Sequence, residues 1–147
     1  MVLAVAFVRR RLFRFVFLIM VASLSGLLPG LALASPLLRC QLTYGGVTRV
    51  EEFAPVADPY RVEAVDVDGR FRFKAVVIGD GQRIDTISLY AYYHAKLQPV
   101  LLQQALYRAP QALVDPAPEQ LTGRQFLYSP DLERELQYGC AVYEVAR

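Results

Sequence analysis

The side chains of this 147-residue chain that could carry out catalysis are spaced in ways that limit what they can do. The chain has one histidine, His94, and the hydroxyl of Ser88 lies six residues earlier. Residues six apart on a strand share a face but are separated by about 20 Å, at ~3.3 Å per residue. A nucleophile and its base must be within hydrogen-bond reach. We therefore interpret His94 as a histidine at the end of a strand.

Paired carboxylates are the second kind of catalytic group to consider. Glu51 and Glu52 are adjacent and would point to opposite faces of a strand, so they cannot cooperate. Glu133 and Glu135 would share a face about 7 Å apart, which is near the carboxyl separation of inverting glycosidases. A charged outer face of a strand explains this pair more simply, because a small sandwich offers no deep cleft. A small hydrolase that uses Glu133, Glu135 or His94 is kept as an alternative.

Nitrogen and sulfur ligands for metals are sparse after the N-terminal segment, because both methionines, Met1 and Met20, lie within that segment. A zinc site needs several nitrogen or sulfur ligands, and copper carriers favour methionine, histidine or free cysteine. Four aspartates cluster around predicted turns, but their spacing matches no calcium loop, and aspartate is common in turns. These residues are Asp66, Asp68, Asp80 and Asp85. We predict no metal site and no cofactor.

The two cysteines, Cys40 and Cys140, lie near the two ends of the chain that follows the N-terminal segment. In an oxidising compartment two cysteines most simply form one disulfide, and two buried thiols are the alternative. A disulfide that closes a loop of about 100 residues would stabilise the fold by ~4 to 5 kcal/mol, because it lowers the entropy of the unfolded chain. The chain has no C-x-x-C motif, so thiol exchange has little support.

The N-terminal segment, residues 1–34, has the organisation of a secretory signal peptide. Arginines at positions 9–14 precede an apolar run, and Ala32-Leu33-Ala34 has the small-x-small pattern that predicts cleavage after Ala34. The run is shorter than the ~20 residues of a comfortable membrane helix. We expect export to the periplasm or secretion, and no membrane span after cleavage. An uncleaved anchor and twin-arginine export are alternatives.

Charge also divides the chain at this point. The first 34 residues hold four arginines and no acid, so residues 35–147 carry 12 basic and 14 acidic side chains and a net charge of −2. A nucleic-acid-binding domain needs a basic face that displaces counterions. We therefore expect no nucleic-acid partner.

Residues 35–147 have the length of one domain. Apolar and polar side chains alternate along them with a period of two, which is typical of strands. Gly45-Gly46 and Asp68-Gly69 predict tight hairpin turns, and residues 84–94 predict a long strand. Residues 99–107 fit either a strand or a helix. At 130–138 we favour a turn and a final strand over a helix. About seven to eight strands at intervals near ten residues predict a single antiparallel β-sandwich.

The last predicted strand contains a short motif, Tyr138-Gly139-Cys140. It resembles the tyrosine corner of immunoglobulin-like domains, in which a tyrosine two residues before the second cysteine turns its hydroxyl back onto the backbone. The wider pattern from Cys40 to Cys140 is similar to small exported bacterial proteins. The resemblance implies an immunoglobulin-like β-sandwich and brings no catalytic residues with it.

Tyrosine side chains provide the most suggestive surface. Tyr90, Tyr92 and His94 fall on one face of a predicted strand, and the sequence leaves open whether that face is core or surface. Tyrosine combines a rigid apolar ring with a polar tip, which suits the recognition of sugars, peptides or proteins. We therefore expect a non-enzymatic exported protein that binds an envelope protein or a cell-wall component. A secreted inhibitor that presents the loop at 108–122 is the alternative.

Overall fold

The structure is a computed structural model that describes residues 34–95, 98–129 and 133–146. These residues form eight strands and a short 3-10 turn at Pro59–Arg61. The strands are β1 (Ala34–Tyr44), β2 (Val47–Phe53), β3 (Val65–Val67), β4 (Phe71–Gly79), β5 (Ile84–His94), β6 (Pro99–Arg108), β7 (Gln125–Ser129) and β8 (Arg134–Ala146). Residues 1–33 of the predicted signal peptide lie outside the described residues.

The strands form two antiparallel sheets of four strands each. The order β2-β1-β8-β7 makes one sheet, which we call the disulfide sheet. The order β3-β4-β5-β6 makes the other, which we call the tyrosine sheet. The predicted all-β sandwich is confirmed.

Two hairpin turns form where the sequence predicts them. Gly45 and Gly46 join β1 to β2 with φ values of 58° and 81°. Asp68 and Gly69 join β3 to β4 with φ values of 55° and 64°. These left-handed conformations are the ones that tight hairpin turns require. The strand before the second turn, β3, has three residues, and it follows a 3-10 turn that starts at Pro59 and is capped by the Asp58 carboxylate.

Apolar side chains of alternate residues meet between the sheets. Phe73 of the tyrosine sheet packs on Tyr138 of the disulfide sheet, with ring centroids 5.0 Å apart. Phe71 meets Tyr44 edge-on at 5.6 Å. Rings in these tilted arrangements attract each other in addition to the water that they exclude. The other fully buried large side chains are Leu38, Leu42, Ile87, Leu89, Leu136 and Val77.

Both segments that the sequence left open between strand and helix contain strands. Residues 99–107 belong to β6, and β8 begins at Arg134. The favoured turn before the last strand lies largely outside the described residues, which stop at Ser129 and resume at Glu133.

The proline-rich segment at 109–124 is tied to β8 rather than projecting from the sandwich. Leu113 N–H donates to Val142 C=O at 3.0 Å, and Glu144 N–H donates to Leu113 C=O at 2.8 Å. Further along, Leu121 N–H donates to Cys140 C=O at 2.9 Å. Because β7 pairs only with residues 134–138 of β8, this segment supplies partners for the remaining edge.

The predicted disulfide is confirmed, and it joins neighbouring strands of one sheet. Cys40 and Cys140 are directly opposite each other on β1 and β8, with Cα atoms 4.1 Å apart. The N–H and C=O of Cys140 point away from β1, to Thr122 and Leu121. The two cysteines are therefore a non-hydrogen-bonded pair, in which the Cα atoms lie closer together than in a hydrogen-bonded pair. In immunoglobulin domains the bridge spans the two sheets. This bridge therefore differs from the one in those domains.

Candidate functional site

The alternation of β5 places Tyr90, Tyr92 and His94 on the outer face of the tyrosine sheet. Their neighbours Ala91 and Tyr93 are buried in the core, whereas the two tyrosines are half-buried and His94 is exposed. The face that the sequence could not assign is therefore surface. The opposite face of β5 packs in the core, so Tyr90 and Tyr92 are not needed to fill the core.

The two outward tyrosines form a stacked pair beside two cations. The rings of Tyr90 and Tyr92 have centroids 6.4 Å apart and planes inclined by 16°. Across the strand pair, Lys74 lies opposite Tyr90 and Arg72 lies opposite Tyr92. Neither cation forms an ion pair with a described residue. Aromatic rings next to cations that lack a counter-ion form a surface suited to an anionic partner.

Acids near this surface are already engaged in local contacts. Asp66, opposite Arg72 on β3, accepts a hydrogen bond from Gly69 N–H at 2.8 Å. Among the residues of β4, β5 and β6 the single carboxylate is that of Asp85, which pairs with Arg83 at 3.2 Å. Although residues 35–147 carry a net charge of −2, this face is locally basic.

Beside the tyrosines, β6 is an edge strand with an apolar surface. Leu101 lies opposite Tyr92 and is 47% exposed, and Leu106 is 50% exposed. Among the described residues, β6 pairs through its backbone with β5 alone. It carries no charged side chain before Arg108, unlike β2 with Arg49, Glu51 and Glu52. An uncharged open edge permits the addition of a further strand.

The candidate catalytic residues are not brought together. Glu135 lies on the outer face of the disulfide sheet, opposite Tyr128, and accepts a hydrogen bond from Gln137 at 2.7 Å. His94 lies on the outer face of the other sheet, so the whole sandwich separates the two residues. Glu133 precedes β8 with a φ of 49°, and the expectation that it shares a strand face with Glu135 is wrong.

Two of the four turn aspartates, Asp66 and Asp80, accept hydrogen bonds in their own turns. The Asp80 carboxylate accepts from the N–H groups of Gln82 and Arg83 at 2.8 and 2.9 Å. These two bonds hold its pKa below the usual value for aspartate. Within residues 34–95, 98–129 and 133–146, no group of three or more histidine, cysteine or acidic side chains is arranged to hold a metal.

Tyr138, of the tyrosine-corner motif, starts a chain of hydrogen bonds that crosses the core. Its hydroxyl donates at 2.8 Å to the amide oxygen of Gln103 on β6, and Gln103 donates at 3.0 Å to Gln125 on β7. Gln125 then donates to Thr122 C=O at 2.8 Å. In the motif that the sequence resembles, the hydroxyl bonds to the backbone. Burial, and to a smaller extent Tyr107, raises the pKa of Tyr138.

A second aromatic pair was missed at the level of the sequence. Phe126 and Tyr128 of β7 are 57% and 63% exposed on the outer face of the disulfide sheet, and Leu127 between them is buried. The alternation at 126–128 shows that one side of this strand is aromatic. It does not show that the aromatic side would face solvent and that Leu127 would face the core.

The comparisons with known proteins give no relative: no family model, curated protein or solved structure matches the chain. Among the described residues, no helix is long and apolar enough to cross a membrane.

Proposed function

We propose that this chain is an exported, non-enzymatic β-sandwich that binds an acidic component of the cell envelope through the outer face of the tyrosine sheet. The observation that carries the proposal is the stacked pair Tyr90 and Tyr92 beside Arg72 and Lys74. The rings provide rigid apolar contact area, and the cations provide charge complementarity, which favours association with an acidic partner.

Export is supported by the N-terminal segment and by the disulfide. The segment at 1–34 combines a basic start, an apolar run and a small-x-small site. Disulfides persist in oxidising compartments such as the periplasm and are rare in the cytosol. The resemblance to small exported bacterial proteins with an immunoglobulin-like sandwich points to the same compartment and stays a prediction.

A binding role, rather than a catalytic one, is supported by the separation of the candidate catalytic groups. His94 and Glu135 lie on the outer faces of different sheets, and Glu133 lies outside the strand. The inhibitor alternative rests on the loop at 108–122. Its support is reduced because Leu113 and Leu121 are hydrogen-bonded to β8 and are not held in a projecting loop.

The decisive experiment compares matched tyrosine variants in capture from envelope extract. We expect Tyr90→Ala/Tyr92→Ala, and separately Arg72→Ala/Lys74→Ala, to lose a partner that the unaltered protein retains. Tyr128→Ala, which removes an exposed tyrosine from the opposite face, should retain it. The interaction should also weaken at high salt, since salt screens charges at the surface. Equal recovery by all variants would count against this face.

The export prediction has its own measurement. After expression of the full chain in a Gram-negative bacterium, the protein should be found in the periplasmic fraction with Ser35 as its first residue. Mass spectrometry without reductant should give a mass two hydrogens below that of the reduced protein. An intact N-terminus in the cytosolic fraction would contradict the proposal of export.

A further inference from the structure

The outer face of the disulfide sheet holds a shallow depression of about 250 Å³, which we call the polar groove. Its lining includes Gln41, Thr43, Thr48, Glu119, Arg124 and Gln137. Apart from one carboxylate and one guanidinium, these are neutral side chains that both donate and accept hydrogen bonds. The polar groove is on the opposite side of the sandwich from Tyr90 and Tyr92, and the inference below does not depend on the proposed function.

The floor of the polar groove is part of a row of outward side chains across the four strands of the disulfide sheet. Thr48, Thr43 and Gln137 line the groove, and Phe126 lies beside it at the end of the row. Thr48 lies opposite Thr43, Thr43 lies opposite Gln137, and Gln137 lies opposite Phe126. At about 4.8 Å between neighbouring strands, the row is about 14 Å long. It begins with two hydroxyls 2.7 Å apart and ends at the exposed ring of Phe126.

The wall of the polar groove is an ion pair. Arg124 donates from Nε and Nη2 to the same atom, Glu119 Oε1, at 2.8 and 2.6 Å. The other carboxylate oxygen, Oε2, takes no part in this pair and remains an acceptor. The pair also cancels its own charge, so the lining side chains carry no net charge, in contrast to the basic face of the tyrosine sheet. Beyond the lining, the Glu135 carboxylate accepts a hydrogen bond from Gln137 at 2.7 Å.

A glycine allows this wall to lie against the sheet. The side chain of Glu119 sits directly over Gly139, where a Cβ atom would collide with it. The segment is fixed in place by hydrogen bonds from Leu121 N–H to Cys140 C=O and from Cys140 N–H to Thr122 Oγ1, both 2.9 Å. The polar groove is therefore framed by anchored backbone.

We propose that the polar groove binds neutral sugar residues of a glycan. Sugar hydroxyls donate and accept hydrogen bonds, as do the amides and hydroxyls of the floor, and charge-assisted bonds to Glu119 Oε2 would be the strongest contacts. The C–H face of a sugar ring carries partial positive charge and packs on the negative face of an aromatic ring, which Phe126 provides. The volume lies below the usual range for drug-sized ligands, so one or two sugar rings are the expected occupants.

The test is a titration of the exported, disulfide-bonded protein with neutral tetrasaccharides. Binding is measured by calorimetry and by changes in NMR chemical shifts. The probes are maltotetraose, cellotetraose, mannotetraose and tetra-N-acetylchitotetraose, with tetragalacturonic acid as the acidic comparison. We expect saturable binding of at least one neutral probe, with shifts centred on Gln137 and Thr43. Absence of saturation with every neutral probe at millimolar concentrations, or binding of the acidic probe alone, would overturn the proposal.

Variants assign the binding to the polar groove. Gln137→Ala and Phe126→Ala should each weaken the affinity by about tenfold or more. Gly139→Ala should do the same by displacing Glu119. Tyr60→Ala, which removes a 93% exposed aromatic ring outside both surfaces, is the control and should bind as the unaltered protein does. Because Phe126 is exposed, its variant is expected to fold, and circular dichroism checks this. Undiminished binding by Gln137→Ala and Phe126→Ala would also overturn the proposal.

Discussion

The two outer faces of this sandwich differ in how their charges are used. On the disulfide sheet, Arg39 donates to Glu52 at 2.9 and 2.7 Å and lies 4.4 Å from the centre of the Tyr143 ring. The bond to Glu52 raises the pKa of Arg39. On the tyrosine sheet, Arg72 and Lys74 form no ion pair with a described residue. The charge of Arg39 is therefore satisfied within its own sheet, whereas Arg72 and Lys74 are available to a partner.

The edges of the two sheets also differ in how far they are covered or charged. The edge of β8 beyond β7 is occupied by Leu113 and Leu121, and β2 carries charged side chains. In addition, Arg49 of β2 donates to the backbone carbonyl of Asp66, which links the two sheets at that end. By contrast β6 is ten residues long and uncharged until Arg108. The disulfide and the covered edge therefore belong to one sheet, and the other sheet has the more open edge.

The largest expected effect comes from removal of the bridge in the disulfide sheet. Cys40→Ala/Cys140→Ala should lower the free energy of unfolding by about 4 kcal/mol, because the unfolded chain regains the entropy of a loop of about 100 residues. Urea denaturation measures the loss. The unaltered protein in the presence of a reductant is the control and should lose a similar amount. An unchanged denaturation midpoint would show that the disulfide sheet does not depend on its bridge.

An intermediate effect should separate the two faces of β5. Tyr93→Ala should cost about 3 kcal/mol, because the ring is 5% exposed and its loss leaves a cavity beside Phe71. Tyr92→Ala, on the outer face, should cost about 1 kcal/mol or less. Thermal or urea unfolding measures the stability of the two variants, which remove the same residue type from adjacent positions. Equal losses would contradict the assignment of Tyr92 to a binding surface.

The smallest effect concerns the hydrogen bond between the sheets. Burial raises the pKa of Tyr138 above the value of about 10 for an unfolded tyrosine, so its contribution is complete below pH ~10 and is lost as the pH rises further. Tyr138→Phe should cost about 1 kcal/mol near neutral pH through the lost bond to Gln103. It should also make the decline of stability above pH ~10 less steep. An identical alkaline decline in both proteins would exclude Tyr138 as its source.

Much of the fold could be predicted because it depends on local patterns. Alternation identified β5 and its two faces, and the positive φ that Gly45 and Gly46 accept identified the first hairpin. The pairing of Cys40 with Cys140 followed from there being two cysteines. That they lie opposite each other on neighbouring strands did not follow, because a separation of 100 residues says nothing about which strands are adjacent.

The candidate sites were predictable only where one strand holds all the residues. Tyr90 and Tyr92 share β5, so their common face was visible in the sequence. The polar groove combines Thr48, Gln137 and Glu119 from three separate parts of the chain, and its wall depends on backbone bonds such as Leu121 to Cys140. Backbone groups are the same in every residue, and no side-chain pattern reveals where they will pair.

The bridge has one more consequence, which concerns proteolysis rather than folding. Because Cys40 and Cys140 are joined, the residues from 40 to 140 form a closed covalent ring. A protease that cuts one exposed connection within the ring, for example at Gly45 or Val114, leaves both fragments attached to each other. The chain nicked within the ring therefore keeps all eight strands in one molecule, and a second cut within the ring is needed before any piece of the ring can be released.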